Sequence, residues 1–138
     1  MQILSHNRQN EHNQLDLWLI KINKEGETIW TKIYHRRGHQ RAFSIKKTET
    51  GFMVGGNDIV SSIEARPFIL YIDNDGNPIK KTPIKYSQNL RLNQIKQVGN
   101  DFYAVGTTIK YTDDLYTDGI LIKFNKDFDV SWEMKFQP

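Results

Sequence analysis

The chain repeats itself every 50 or so residues. Trp18-Leu19-Ile20-Lys21-Ile22-Asn23-Lys24-Glu25-Gly26 returns 50 positions later as Phe68-Ile69-Leu70-Tyr71-Ile72-Asp73-Asn74-Asp75-Gly76. It returns after 52 more as Ile120-Leu121-Ile122-Lys123-Phe124-Asn125-Lys126-Asp127-Phe128. A second block, Phe52-Met53-Val54-Gly55-Gly56, recurs 50 positions on as Phe102-Tyr103-Ala104-Val105-Gly106. A fixed period of this length marks a repeat architecture, in which one supersecondary unit is copied and stacked.

Each unit resolves into four short segments of strand character. Ala42 to Thr48 matches Leu92 to Val98, and Phe52 to Gly56 matches Phe102 to Gly106. The turns between them, Glu49-Thr50-Gly51 and Gly99-Asn100-Asp101, carry the residues that tight hairpins favour. The third segment, Leu17 to Ile22, has apolar residues on both faces, which suits an interior strand covered on two sides. Phe68 to Ile72 and Ile120 to Phe124 keep that pattern. The fourth is Ile29 to Tyr34, matched by Ile79 to Ile84 and Val130 to Phe136. Pro83 lies in the second copy and cannot donate to a ladder, so this strand is expected at a sheet edge. No segment sustains a 3.6-residue period, and four antiparallel strands per unit fit a β-propeller blade.

Particular residues strengthen this reading. Asp16-Leu17-Trp18-Leu19-Ile20-Lys21-Ile22-Asn23, Gly26 and Trp30, with Ser44-Ile45, Thr48, Gly51-Phe52, Val54 and Gly56, resemble the bacterial and archaeal β-propeller repeat family. The third copy keeps Asp118, Ile122-Lys123 and Trp132 but has Phe128 where the family pattern has glycine. The second has Lys80 in place of tryptophan. The resemblance covers almost the whole chain. It implies a fold, and proteins that are commonly exported or at the cell surface; it brings no catalytic residues. Met1 to Gln14 contains no apolar run suited to a secretory signal, so export by that route is not expected of a complete chain.

The phase of the repeat sets the expected organisation. Ile3 to Asn7 aligns with Met53 to Asn57, so the chain opens on a second strand. Residues 1–138 then form a single repeat domain: a partial blade at 1–36, a blade at 40–86 and a blade at 90–138. The fold class expected is all-β, with propeller-type four-stranded antiparallel blades in about two and three-quarter repeats, not closed by one chain. An open set of blades exposes apolar faces. Self-association, for instance two chains forming a six-bladed ring, or membership of a longer propeller, is therefore expected. Capped open blades are the alternative.

Composition narrows the function classes. There is no cysteine, which excludes disulfides and thiolate chemistry. The longest apolar stretches fall far short of the ~20 residues of a membrane helix. Net charge is +3, concentrated in residues 1–50, where nine Lys/Arg face five Asp/Glu. Such mild basicity speaks to solubility and weak association with anions, not to a dedicated nucleic-acid binder. No nucleotide, zinc or serine-nucleophile motif is present, and no cofactor is expected.

Three groups are candidate sites. His35, Arg36, Arg37, His39 and Arg41 form the densest basic stretch, an anion site for phosphate, acidic glycan or nucleic acid unless it is simply a solvated loop. His35 and His39 have no evident third partner, which makes metal binding improbable. Asp113, Asp114 and Asp118 lie near Tyr111 and Tyr116, and paired carboxylates with aromatics can hydrolyse or bind sugars. Yet Asp118 corresponds to Asp16, a repeat position, which suggests a structural role. Asp73-Asn74-Asp75-Gly76-Asn77 looks like the start of a calcium loop, but its glycine is at the fourth position rather than the sixth, and a hairpin turn is the simpler reading. Trp18, Trp30 and Trp132 recur at repeat positions, which suits packing between blades better than a ligand platform. The function expected is a non-enzymatic binding or interaction scaffold, with a protein or glycan ligand; a carbohydrate-active hydrolase fragment and an anion binder through residues 35–41 remain as alternatives.

Overall fold

A computed structural model describes residues 2–9, 15–35, 38–61, 64–86, 89–109 and 117–137. Among the described residues there are eleven elements, all strands: β1 (Gln2–Gln9), β2 (Leu15–Ile22), β3 (Thr28–Tyr34), β4 (His39–Lys47), β5 (Gly51–Ser61), β6 (Glu64–Asp73), β7 (Pro78–Pro83), β8 (Asn89–Val98), β9 (Asp101–Ile109), β10 (Thr117–Phe124) and β11 (Val130–Phe136). They form three antiparallel sheets, none of them closed. The first has the order β1-β2-β3, the middle β4-β5-β6-β7 and the last β8-β9-β10-β11. Pro83 lies on β7, an edge strand, where its missing N–H costs no ladder bond.

Pairing follows the sequence period. Ile3 of β1 faces Lys21 as Met53 of β5 faces Tyr71, and Tyr103 of β9 faces Lys123. The outer hairpins share one irregularity: the register shifts after Lys21, Tyr71 and Lys123. One extra residue (Ile29, Ile79 or Ser131) is thereby inserted opposite each. The inner hairpins share another, between Ala42 and Ser44 and between Leu92 and Gln94. Bulges increase local twist and re-aim side chains, so matching bulges give matching sheets.

The sheets stack side by side through two cores. Leu17 and Leu19 of the first sheet pack with Phe52, Val54, Phe68, Leu70 and Ile72 of the middle one. The middle sheet's opposite face, with Met53, Ile69 and Ile84, packs against Leu92, Ile95, Phe102, Ala104, Ile120, Ile122, Phe124 and Phe128. Gly55 and Gly56 make room on the two faces: a Cβ would fall 2.7 Å from the Phe43 ring at the former and 2.4 Å from the Phe68 ring at the latter.

Two expectations change. Strand β2 has fully buried apolar residues on the Leu17 and Leu19 face only; on the other face Asp16 is buried but Trp18, Ile20 and Ile22 are half-buried, because the first sheet ends the stack. Only in the middle sheet does the third strand bury both faces, through Phe68, Ile69, Leu70 and Ile72. And β5 and β6 run past Gly56 and before Phe68, pairing Asn57 with Pro67 and Asp58 with Arg66.

Candidate functional site

The sheets are locked together by turns set onto neighbouring faces. The β6–β7 turn begins at Asp73, whose Oδ1 accepts hydrogen bonds from the amides of Asp75 and Asn77, both 2.9 Å. Gly76 closes it at a φ of 81°, in the left-handed region that glycine enters without steric cost. This turn sits on the first sheet. Lys21 Nζ and Trp30 Nε1 both donate to the Asn74 carbonyl, at 2.7 and 2.9 Å. The Tyr34 hydroxyl donates to the Gly76 carbonyl, and Lys32 Nζ to Asn77 Oδ1 at 2.9 Å. The Trp30 ring lies over Gly76, where a Cβ would come within 2.9 Å of it. Burial, and secondly the charge of Asp73, push the Tyr34 hydroxyl up to about 12.

The opposite end of the same seam gathers ionisable groups. Asp16 on β2 is buried, with a side chain 2% exposed, and its Oδ2 lies 2.8 Å from Nδ1 of His35, which is 74% exposed. A carboxylate only accepts, so His35 carries its proton on Nδ1. His39 is held in the opposite sense, since its Nδ1 accepts from the Leu15 amide at 3.1 Å. Across the seam, Lys81 Nζ lies 3.3 Å from Asp58 Oδ2 and 3.6 Å from the centre of the Phe68 ring. A cation over a ring face is attracted by the ring's quadrupole. Beneath these groups a cavity of about 280 Å³ is lined by Leu17, Tyr34, His35, Gln40, Phe68, Leu70, Pro78 and Lys81. Its walls are largely apolar, with polar atoms confined to a few side chains, as in small-ligand sites generally.

Three of the basic residues fall in the described part of the chain. His35 and His39 face the first seam, and Arg41 is exposed on β4. Arg36 and Arg37 lie outside the described residues, as do Asp113 and Asp114. Asp118 is buried on β10 opposite Thr108, at the same end of its sheet as Asp16 in the first. Gln40, Asp58 and Lys81 were not singled out from sequence, although β4 alternation could have placed Gln40 inward. Asp58 and Lys81 carry no local signal, because it is the pairing of β5, β6 and β7 that brings them together.

The calcium-like segment is occupied by its own backbone. In the equivalent turns, Asn23 Oδ1 accepts from Glu25 and Glu27, and Asn125 Oδ1 accepts from Asp127 and Asp129. Hydrogen bonding, led by the Asn77 amide, holds the Asp73 carboxyl below its ordinary range. Among the described residues no three His, Asp or Glu side chains gather closely enough to hold a metal ion. Nor is any helix there long and apolar enough to cross a membrane. No protein-family model matches the chain, and no curated protein does.

Proposed function

We propose that the chain is a non-enzymatic interaction scaffold built from β-propeller-type blades, each sheet being one blade, and that it holds its ligand at the seam between the first two. The recurring register and bulges support the blade reading. The observation that carries the binding reading is the cavity of about 280 Å³ with apolar walls and a polar rim from His35, Gln40 and Lys81. Its ionisable neighbours are committed to holding contacts, Asp16 to His35 and Asp58 to Lys81. That arrangement suits recognition of a small group with an apolar body, such as a sugar ring or a protein side chain.

Two-dimensional NMR of labelled protein, titrated with a panel of oligosaccharides and short peptides, tests this. A binder is expected to shift the signals of Leu17, His35, Gln40 and Phe68, and Leu70→Phe, which fills the cavity, is expected to abolish the shifts. Shifts confined to other regions, or turnover of any panel member, would overturn the proposal.

A further inference from the structure

The last sheet carries an empty copy of the face that grips a turn inside the molecule. On the first sheet that face presents Leu17, Leu19 and Lys21 of β2, and Trp30, Lys32 and Tyr34 of β3, and it holds the turn containing Gly76. The last sheet's equivalents are Gly119, Leu121 and Lys123 of β10, and Trp132, Met134 and Phe136 of β11, in the same pairing. Among the described residues no turn is seated on this face: Trp132 is 40% exposed, Met134 50% and Phe136 53%, while Lys123 Nζ is paired with Asp101 at 3.0 Å, the bond it would exchange on docking. At the other end of the stack, the β2–β3 turn is the equivalent of the gripped turn. Gly26 has a φ of 84°, against 81° at Gly76, and a Cβ there would meet nothing within 4 Å.

The two free surfaces match in size as well as in origin. Trp30 needs glycine beneath it, and the free turn offers Gly26 to Trp132. The turn on the last sheet has Phe128 instead, and the middle sheet correspondingly has Lys80 rather than tryptophan. Leu17 and Phe68 line one cavity across the first seam. Their counterparts at the free surfaces are Gly119 and Trp18, a smaller residue against a larger one. The larger residue makes up part of the volume that the smaller one gives up. Two contacts are not reproduced: Met134 and Glu27 replace Lys32 and Asn77, and Phe136 has no hydroxyl to match the Tyr34 bond to the Gly76 carbonyl.

We propose that a second copy of this chain docks head to tail, its β2–β3 turn seated on Lys123, Trp132 and Phe136 with Gly26 under the indole. Lys123 Nζ would then turn to the Lys24 carbonyl, as Lys21 does to Asn74. Such a contact joins two different surfaces, so it closes a ring or extends. The inference rests on the blade reading only in treating the sheets as copies of one unit.

Light scattering over a concentration series, on wild type, Trp132→Ala and Gly26→Asn, is the test. Both positions are exposed, and asparagine tolerates positive φ, so unchanged circular dichroism is expected. Wild type is expected as a species of two or more chains. Each variant is expected to raise the dissociation constant at least about tenfold, which corresponds to about 1.4 kcal/mol. Mixing the two variants is expected to restore a two-chain species, because each retains the half that the other lacks. Single-chain wild type at every concentration, variants that associate as wild type does, or a mixture no better than its components would overturn the proposal. Ligand shifts at the Leu17–Lys81 cavity that persist in the variants would leave the scaffold reading standing while the docking failed.

Discussion

The two seams of the molecule join the same kind of sheet in different ways. Between the first and middle sheets the contact is polar at both ends: Lys21, Trp30, Lys32 and Tyr34 hold a turn, while at the other end the Leu15 amide donates to His39, beside the pairs Asp16–His35 and Asp58–Lys81 that lie within each sheet. Between the middle and last sheets it is mainly apolar, with side-chain bonds from Ser44 to the Ile95 carbonyl and from the Tyr86 hydroxyl to Glu133. The turn residue there is Phe128, 4% exposed, whose ring centre lies 4.6 Å from that of Phe102. Phe128 takes a φ of 61°, which costs a non-glycine residue about 1–2 kcal/mol. Its burial offsets that strain. Asn57 makes a buried polar bridge at this seam: its side chain donates to the Leu92 carbonyl and accepts from the Leu92 amide, at 2.9 and 3.1 Å. It meets β8 where the ladder is interrupted by a bulge. The comparison teaches that backbone register fixes where a turn meets a face, and side chains need only match in pairs: tryptophan over glycine, or phenylalanine beside a face without tryptophan.

The sharpest way to break the apolar seam is Phe128→Gly. Loss of a buried aromatic, partly offset by relief of the positive φ, is expected to cost about 3 kcal/mol, read as the urea midpoint at fixed protein concentration. Asn57→Leu strips both partners from a buried backbone N–H and C=O and is expected to cost about 2 kcal/mol in the same assay. At the polar seam Trp30→Ala should cost less, about 1–1.5 kcal/mol, because the indole is half-exposed and one hydrogen bond is lost. If it costs more than Phe128→Gly, the contrast between the seams is wrong.

The smallest effect concerns pH. Asp73 titrates below its ordinary range in the folded turn. Its contribution to stability is therefore present above the unfolded value, about 4, and is lost as pH falls through the lowered folded value. Asp73→Asn keeps the Oδ1 acceptor that Asn23 and Asn125 already use, so it should preserve the turn and flatten the acid side of the stability profile. An unchanged acid slope would show that the turn does not depend on this carboxylate. Tyr34 acts at the other extreme: its value is raised on folding, so stability falls as pH climbs from the ordinary phenol value, about 10, toward about 12.

Much of this was legible in the residues. The recurrence of Trp18 to Gly26 located the third strands and their turns, and Gly76 with Phe128 marked where the copies differ. Pro83 placed β7 at an edge. The ends of β5 and β6 were hidden, because Asn57, Asp58 and Arg66 read as loop residues until cross-strand pairing accounts for them. The one-sided burial of β2 was hidden too, since Trp18, Ile20 and Ile22 are apolar whether or not a neighbour covers them. The cavity was least visible, as its lining comes from β2, β3, β4, β6 and β7 and the residues that follow them, and no local pattern joins residues 17 and 81. Within the basic stretch, His35 and His39 are explained by Asp16 and the Leu15 amide, partners far from them in sequence.

The central claim is that the three sheets are copies of one unit whose turns and faces are exchangeable in matched pairs. A double-mutant cycle of Lys80→Trp with Phe128→Gly, by urea unfolding, tests it most directly. Together the two changes rebuild at the second seam the tryptophan-over-glycine pair of the first. Lys80→Trp is expected to recover at least about 1 kcal/mol in the Phe128→Gly background and to give no such gain in wild type, where phenylalanine already fills the space. Effects that add to within about 0.5 kcal/mol would mean that the two positions do not face one another as Trp30 and Gly76 do, and would contradict the account.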